Sequence, residues 1–217
     1  MLDAQQTPSQ PLSPRQSQIV DAAFRLIATE GPRRFTVGLL AKEVGLTGGA
    51  IYRHFDSMDA IVDAVVDRVG RLLFENFPPQ ADDPIRRLQL FFYCRARSIL
   101  GNPYLSRLLL SDHLLQAGRA SQSQRLNEFK RQSHSFVIGC LREAQHNGSL
   151  VDEMSPEAGA VVILGSVLAL SHTTAKLTQE SERERLFHQV WSGIERMLRR
   201  SELAMNSMHR RRPSVGK

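Results

Sequence analysis

Apolar residues recur at helical spacing from Ile19 to Leu198, and this pattern predicts the elements of the chain. Ser13-Pro14 opens a first helix with a capping hydroxyl and a proline in the first turn. Its apolar face is Ile19, Ala22, Ala23, Leu26 and Ile27, and Gly31-Pro32 ends it. A second helix carries Val37, Leu40, Ala41 and Val44 inward, with Lys42 and Glu43 outward. Gly45 stops it, as a residue tolerant of positive φ should. Thr47 caps a third helix with Ala50 and Ile51 facing inward and Tyr52, Arg53 and His54 left at the rim. Asp56 or Ser57 caps a fourth, in which Ile61, Val62, Val65, Val66, Val69, Leu72 and Leu73 cover more than one face. Read from Met58 to Phe77, it is a rod of roughly 30 Å.

Pro78-Pro79 through Asp83 is a hinge-like break, and Asp83-Pro84 opens the second half. The helix that follows is apolar nearly all round (Leu88, Leu90, Phe91, Phe92, Ala96, Ile99, Leu100) but is interrupted by Arg95 and Arg97. Asn102-Pro103 opens a short helix towards His113, and Gln116 to Gln124 reads as a polar stretch. A long helix then runs to about His146, where Asn147-Gly148 stops it. Ser155-Pro156 begins a helix with no charge from Ala158 to Leu170 and with small Gly159, Ala160, Gly165, Ser166 and Ala169. A helix apolar on all faces must be covered on all faces. It is too short and too interrupted to span a membrane. We expect a second copy to cover it, together with the last amphipathic helix (Leu186, Phe187, Val190, Trp191, Ile194, Met197, Leu198).

The stretch Thr36–Phe55, helix, glycine corner, helix, is a helix-turn-helix pattern, whose second helix enters the DNA major groove. From Gln18 to Val69, about 50 of 217 residues, the chain resembles the amino-terminal domain of the tetracycline-repressor (TetR/AcrR) family of bacterial regulators. The matching positions are the first-helix residues above with Gly31, then Phe35-Thr36-Val37, Ala41, Val44-Gly45-Leu46-Thr47 and Ala50-Ile51-Tyr52-Arg53-His54-Phe55. Met58 stands where the family usually has Lys, and Gly38 where a polar residue is usual. Thr36 and Thr47 have hydroxyls and helix-start amides to offer phosphates. Gly48 and Gly49 either allow close backbone approach or simply lie in the loop. The resemblance favours DNA contact for Tyr52, and Arg53 and His54 suit phosphates, although Arg53 reads almost as well as a solvated charge. It also implies a homodimer joined through the two C-terminal helices. Two-fold-related reading helices reach major grooves about 34 Å apart, so the partner is a palindromic duplex. The fourth helix is a lever or a plain spacer, and the resemblance favours the lever.

Charge adds little to the case for DNA. Of the net +6, Arg210, Arg211, Arg212 and Lys217 in the tail account for four, and residues 1–57 hold six bases against five acids. Cys94 and Cys140 have no paired spacing, which fits a reducing compartment, and the start MLDAQQTPSQPLS lacks a signal-peptide core. We expect a cytoplasmic, nucleoid-associated protein with a disordered start (1–13), a DNA-binding domain (14–57), a ligand-binding and dimerisation domain (58–203) and a basic disordered tail (204–217). The fold class is all-α: a three-helix DNA-binding domain followed by a larger helical bundle.

A bundle of this kind can enclose an apolar cavity with a few polar groups. The candidates are Tyr93, Arg95, Arg97, Tyr104, His113, Phe136 and His172. Each also reads as an ordinary core or surface residue. The arginines suit an anionic or carboxylate ligand, so the expected effector is a small molecule, apolar or anionic. His113, His134, His146, His172 and His188 show no metal spacing, and no catalytic or cofactor motif (HExxH, GxSxG, GxGxxG, CxxC) is present. We therefore expect a ligand-responsive, dimeric repressor that needs no cofactor and is not an enzyme. A non-sensing DNA-binding or adaptor module is the alternative, and an all-helical enzyme stands further off.

Overall fold

The computed structural model describes residues 11–200 except 112, 175, 176 and 178. The expected disorder at 1–13 and 204–217 therefore lies outside the described residues, apart from 11–13. In chain order the helices are α1 (Pro14–Glu30), a short 3-10 turn (Pro32–Arg34), α2 (Val37–Val44), α3 (Gly48–Ile51) and α4 (Met58–Phe74). They continue as α5 (Pro84–Gly101), α6 (Pro103–Leu110), α7 (His113–Ala117), α8 (Ala120–His146), α9 (Pro156–Thr174) and α10 (Glu180–Leu198). Among the described residues no helix is long and apolar enough to cross a membrane.

The chain divides into two compact units. One runs through Val69 and takes in Arg107–Arg125, and the other holds Gly70–Ser106 and the chain from Leu126 onward. The division cuts through α4, α6 and α8.

In the first unit the caps act where the sequence puts them. Ser13 Oγ accepts from the Gln16 amide at 3.2 Å while Gln16 Oε1 accepts from the Ser13 amide at 3.0 Å, a complete capping box. Thr36 caps α2 through the Leu39 amide (3.3 Å) and Thr47 caps α3 through the Ala50 amide (3.2 Å). Ser57, rather than Asp56, accepts from the Ala60 amide at 3.1 Å and opens α4. Ile19, Ala22, Ala23, Leu26 and Ile27 are all buried, but so are Val20, Phe24 and Ala28. α1 is covered on a second face because α7 packs on it and on the 3-10 turn.

Two expectations change. The fourth helix ends at Phe74 rather than Phe77, because Asn76 takes φ 56° and the Phe77 amide turns back to the Phe74 carbonyl. The polar stretch Gln116–Gln124 is largely helical, in α7 and the start of α8. Its hydrogen bonds explain this: Gln122 is 1 % exposed, accepts from the Arg119 amide and donates from Nε2 to the Asp59 carbonyl at 3.5 Å. Arg119 pairs with Asp59, and Arg125 with Asp67 and Asp63, so three carboxylates one turn apart on α4 are answered from this segment.

In the second unit α5, α9 and α10 pack on one another. Asp83 Oδ1 caps α5 by accepting from the Ile85 amide at 2.9 Å, and the same side chain pairs with Arg199 at the end of α10. Phe91, Phe92, Phe187 and Trp191 are buried between these helices and their neighbours.

Candidate nucleic-acid interface and ligand site

Within the first unit the end of α2 and the start of α3 meet at a glycine. Gly45 has φ 67°, the left-handed conformation that ends a helix, and its amide donates back to the Lys42 carbonyl. α3 itself is four residues long, but turns continue past it: His54 donates to Ile51 at 3.0 Å and Phe55 to Ile51 at 3.1 Å. Ile51 and Phe55 are buried and anchor the segment.

Between those anchors Tyr52 stands 47 % exposed, among the larger apolar exposures of the described chain, and Arg53 is exposed with no carboxylate partner among the described residues. Thr36, Thr47 and Gly49 are exposed as well, while Gly48 and His54 are half-buried. A Cβ added at Gly49 meets nothing within 4 Å, and one at Gly48 makes only ordinary contact with Val37 at 3.8 Å. Neither glycine has a positive φ, so nothing inside the unit requires them. Glu43, an acid of α2, is answered by Arg25 at 3.3 Å.

Sequence reading missed Gln16. Its Nε2 donates to the His54 carbonyl at 3.0 Å, so one side chain both closes the α1 capping box and holds the end of the segment that follows α3. The capping spacing was visible; the contact 38 positions away had no signal.

The seven candidate ligand residues are not brought together. His113 falls in the first unit, its ring over Gly31 (3.6 Å from the position of a Cβ there) and its Nδ1 buried without a hydrogen-bond partner among the described residues. Tyr93 bonds His188 Nδ1 at 2.8 Å, and burial raises its phenol above the usual range. Arg97 lies exposed in an ion pair with Glu184 at 3.1 Å. Tyr104 is half-buried on α6, and His172 lies on α9 with its side chain outside the described residues.

Arg95 and Phe136 belong to one cluster. Arg95 is 5 % exposed, and its guanidinium lies over the rings of Phe74 (4.7 Å), Phe91 (5.0 Å) and Phe77 (5.6 Å). Phe136 packs edge-on against Phe77 at 5.0 Å and tilted against Phe91 at 5.5 Å. Burial pushes the Arg95 pKa down to about 10, which still leaves it charged at neutral pH. The partners that sequence reading missed, Phe129, Ser133 and Phe91, had a signal: Phe129 and Ser133 share one face of α8 with the candidate Phe136 at helical spacing, as Phe91 does with the candidate Arg95 on α5. By contrast, burial pushes the Cys140 thiol up to about 11, which keeps it an inert core residue.

Residues 19–65 match the family model of bacterial regulatory proteins, tetR family. Over that segment the chain resembles the tetR family of bacterial regulators. DNA binding in transcription regulation goes with that resemblance. Among curated relatives, the nucleoid occlusion factor SlmA of Vibrio campbellii is 27% identical over 162 residues, which cover 70% of this chain and 80% of that protein. Solved structures share the fold. The ketosteroid transcriptional regulator KstR2 of Mycobacterium tuberculosis superimposes with a TM-score of 0.72 at 15% identity, over 88% of this chain and 98% of that one. FadR from Bacillus subtilis, solved in complex with stearoyl-CoA, gives 0.62 at 20% identity, over 83% and 98%.

Proposed function

We propose that this chain is a TetR-family cytoplasmic homodimeric repressor that binds a palindromic operator and is released by a small molecule held in its second unit. The observation that carries the DNA contact is the exposed Tyr52–Arg53 pair, projecting between two buried anchors. Tyr52 offers its ring to a thymine methyl, Arg53 and His54 meet phosphates, and Thr36 and Thr47 add hydroxyls at the starts of α2 and α3. Gly48 and Gly49 leave room for the sugar-phosphate backbone.

Dimerisation is supported by α9 and α10. Ala158, Val161, Gly165, Leu168 and Ala169 form an exposed uncharged stripe along α9, and Met197 is exposed on α10. Val161 is 73 % exposed, a poor place for a branched apolar side chain in water.

The sensor reading is supported by Arg95, a buried cation with no carboxylate partner among the described residues, in a protein whose structural neighbours include a FadR solved with stearoyl-CoA. A non-sensing module has no use for such a residue. The curated relatives are named as nucleoid occlusion factors, which keeps in view a second reading in which DNA binding itself is the output.

The test is binding to duplexes selected from random DNA. Wild type is expected to enrich an inverted repeat. Tyr52→Ala should bind it more weakly by about 5- to 150-fold, the span of ~1–3 kcal/mol for a base contact. Unchanged affinity in Tyr52→Ala would mean that another element reads the operator.

A further inference from the structure

Several other arginines of Arg95's unit answer acids: Arg87 pairs with Glu143, Arg97 with Glu184, and Arg199 with Asp83 and Glu195. Arg95 is more deeply buried than any of these, and among the described residues its hydrogen-bond partner is the Ser133 hydroxyl, at 3.1 Å from Nη2. A guanidinium carries five N–H donors in one plane, so most of its hydrogen-bonding capacity is left over. Three phenylalanine faces offset part of the cost of desolvating the charge, as cation–π contacts do. Phenylalanine rings supply no hydrogen-bond acceptor for its N–H groups in the way an oxygen would. A buried charge without a counter-charge weakens a fold, and a bound anion would relieve that cost.

The rings around it are arranged as a rim. Phe91 is buried, whereas Phe74, Phe77, Phe129 and Phe136 each keep part of their surface in the open. Phe129 leans on Phe74 at 5.5 Å and lies against Gly70, where an added Cβ would stand 2.7 Å from its Cζ. A deep cation within a partly open collar of aromatic carbon suits a molecule with an anionic head and an apolar body.

We infer that Arg95 and Ser133 form the head-group end of a site for an apolar carboxylate, whose body lies on Phe74, Phe77, Phe129 and Phe136. The planar carboxylate matches the edge of the guanidinium fork, and Ser133 Oγ can donate to a second oxygen. This rests on the reading of the second unit as a sensor and deepens it by naming the class of effector.

Calorimetry and thermal melting of the full chain with laurate, dodecanol and dodecylamine, each below its micelle concentration, test it. These probes share a tail and differ only in the charge of the head. Laurate is expected to bind about 10-fold or more tighter than dodecanol and to raise the melting temperature, and dodecylamine to bind weakest. Arg95→Met should lose that preference while keeping its affinity for dodecanol, and its unliganded melting temperature should hold or rise. Equal affinities for laurate and dodecanol in wild type overturn the head-group assignment. So does laurate binding that is unaltered in Arg95→Met. Should that variant not fold, Ser133→Ala, expected to lose laurate affinity several-fold, gives the decision with the wild-type comparison. Duplex binding measured alongside separates the two ideas. Laurate held without any change in DNA affinity keeps the site and removes its sensing role, whereas no binding by any probe removes the site and leaves sensing through another ligand standing.

Discussion

Glycine does opposite things on the two sides of the turn between α2 and α3. At Gly45 the backbone needs it, since φ is 67° and a side chain there is strained. At Gly49 the backbone does not need it, and a methyl group would stand in open space. Gly49→Ala should therefore stabilise the first unit by about 0.4–1 kcal/mol by narrowing the unfolded ensemble. It should also weaken duplex binding, because the methyl occupies the space left for a phosphate backbone. Denaturant midpoints and operator titrations read the two effects separately, and a variant that is more stable and binds equally well would return Gly49 to the role of a plain loop residue. Gln16 supplies a second residue-scale test. Gln16→Glu keeps an acceptor for the Ser13 amide but loses the donor to the His54 carbonyl. A loss of about 1 kcal/mol is expected from that one hydrogen bond, with a larger proportional loss in operator affinity. Glycine positions of this kind are legible in a sequence because they depend on local geometry. Gln16's hold on His54 is not, because it joins segments that only the fold brings together.

Among the helices, α4 has its first turns in one unit and its last in the other, and it passes a tight place at Gly70. There the Phe129 ring occupies the position a methyl would need, 2.7 Å from Cζ. Gly70→Ala improves helix propensity by up to ~1 kcal/mol but forces the ring aside, and overpacking of this kind costs about 1–3 kcal/mol. A net loss of roughly 1–2 kcal/mol is expected in chemical unfolding, and Phe129→Ala in the same background should restore much of it. Recovery by the second substitution distinguishes crowding from a general dislike of alanine at this place. The helices that hydrophobic spacing and a capping residue announce together, α1, α2, α5 and α9, were all legible. α7 and the start of α8 were not, because Gln122, Arg119 and Arg125 hold them to α4 through hydrogen bonds and ion pairs with Asp59, Asp63 and Asp67. A hydrophobic pattern has no means of registering such polar contacts. The candidate ligand site was half legible for a related reason: two residues on one helix can be paired by counting, but three helices converging on Arg95 cannot.

At the scale of the molecule the question is what covers α9. Its inner side is packed closely, with Gly159, Ala160, Ile163, Val167 and Leu170 buried and Leu141 within 3.0 Å of a Cβ at Gly159. Its outer side carries Ala158, Val161, Gly165, Leu168 and Ala169 in the open, with no charge among them. Small residues at this spacing let a second helix approach closely, and a two-fold axis would set α9 against its own copy. Val161→Glu places a charge where that copy would lie while touching nothing in the chain's own core. The variant is expected to unfold at a denaturant concentration close to that of wild type and yet to sediment as a 24.4 kDa particle where wild type is expected to sediment as a dimer. Operator binding should then lose its two-fold character. A monomer engages each half-site independently, so affinity for the full inverted repeat falls towards that for a single half, because the linkage that raises the local concentration of the second reading segment is gone. If Val161→Glu remains a dimer and binds the full repeat as wild type does, α9 is not the joint, and the exposed Met197 side of α10 becomes the next surface to charge.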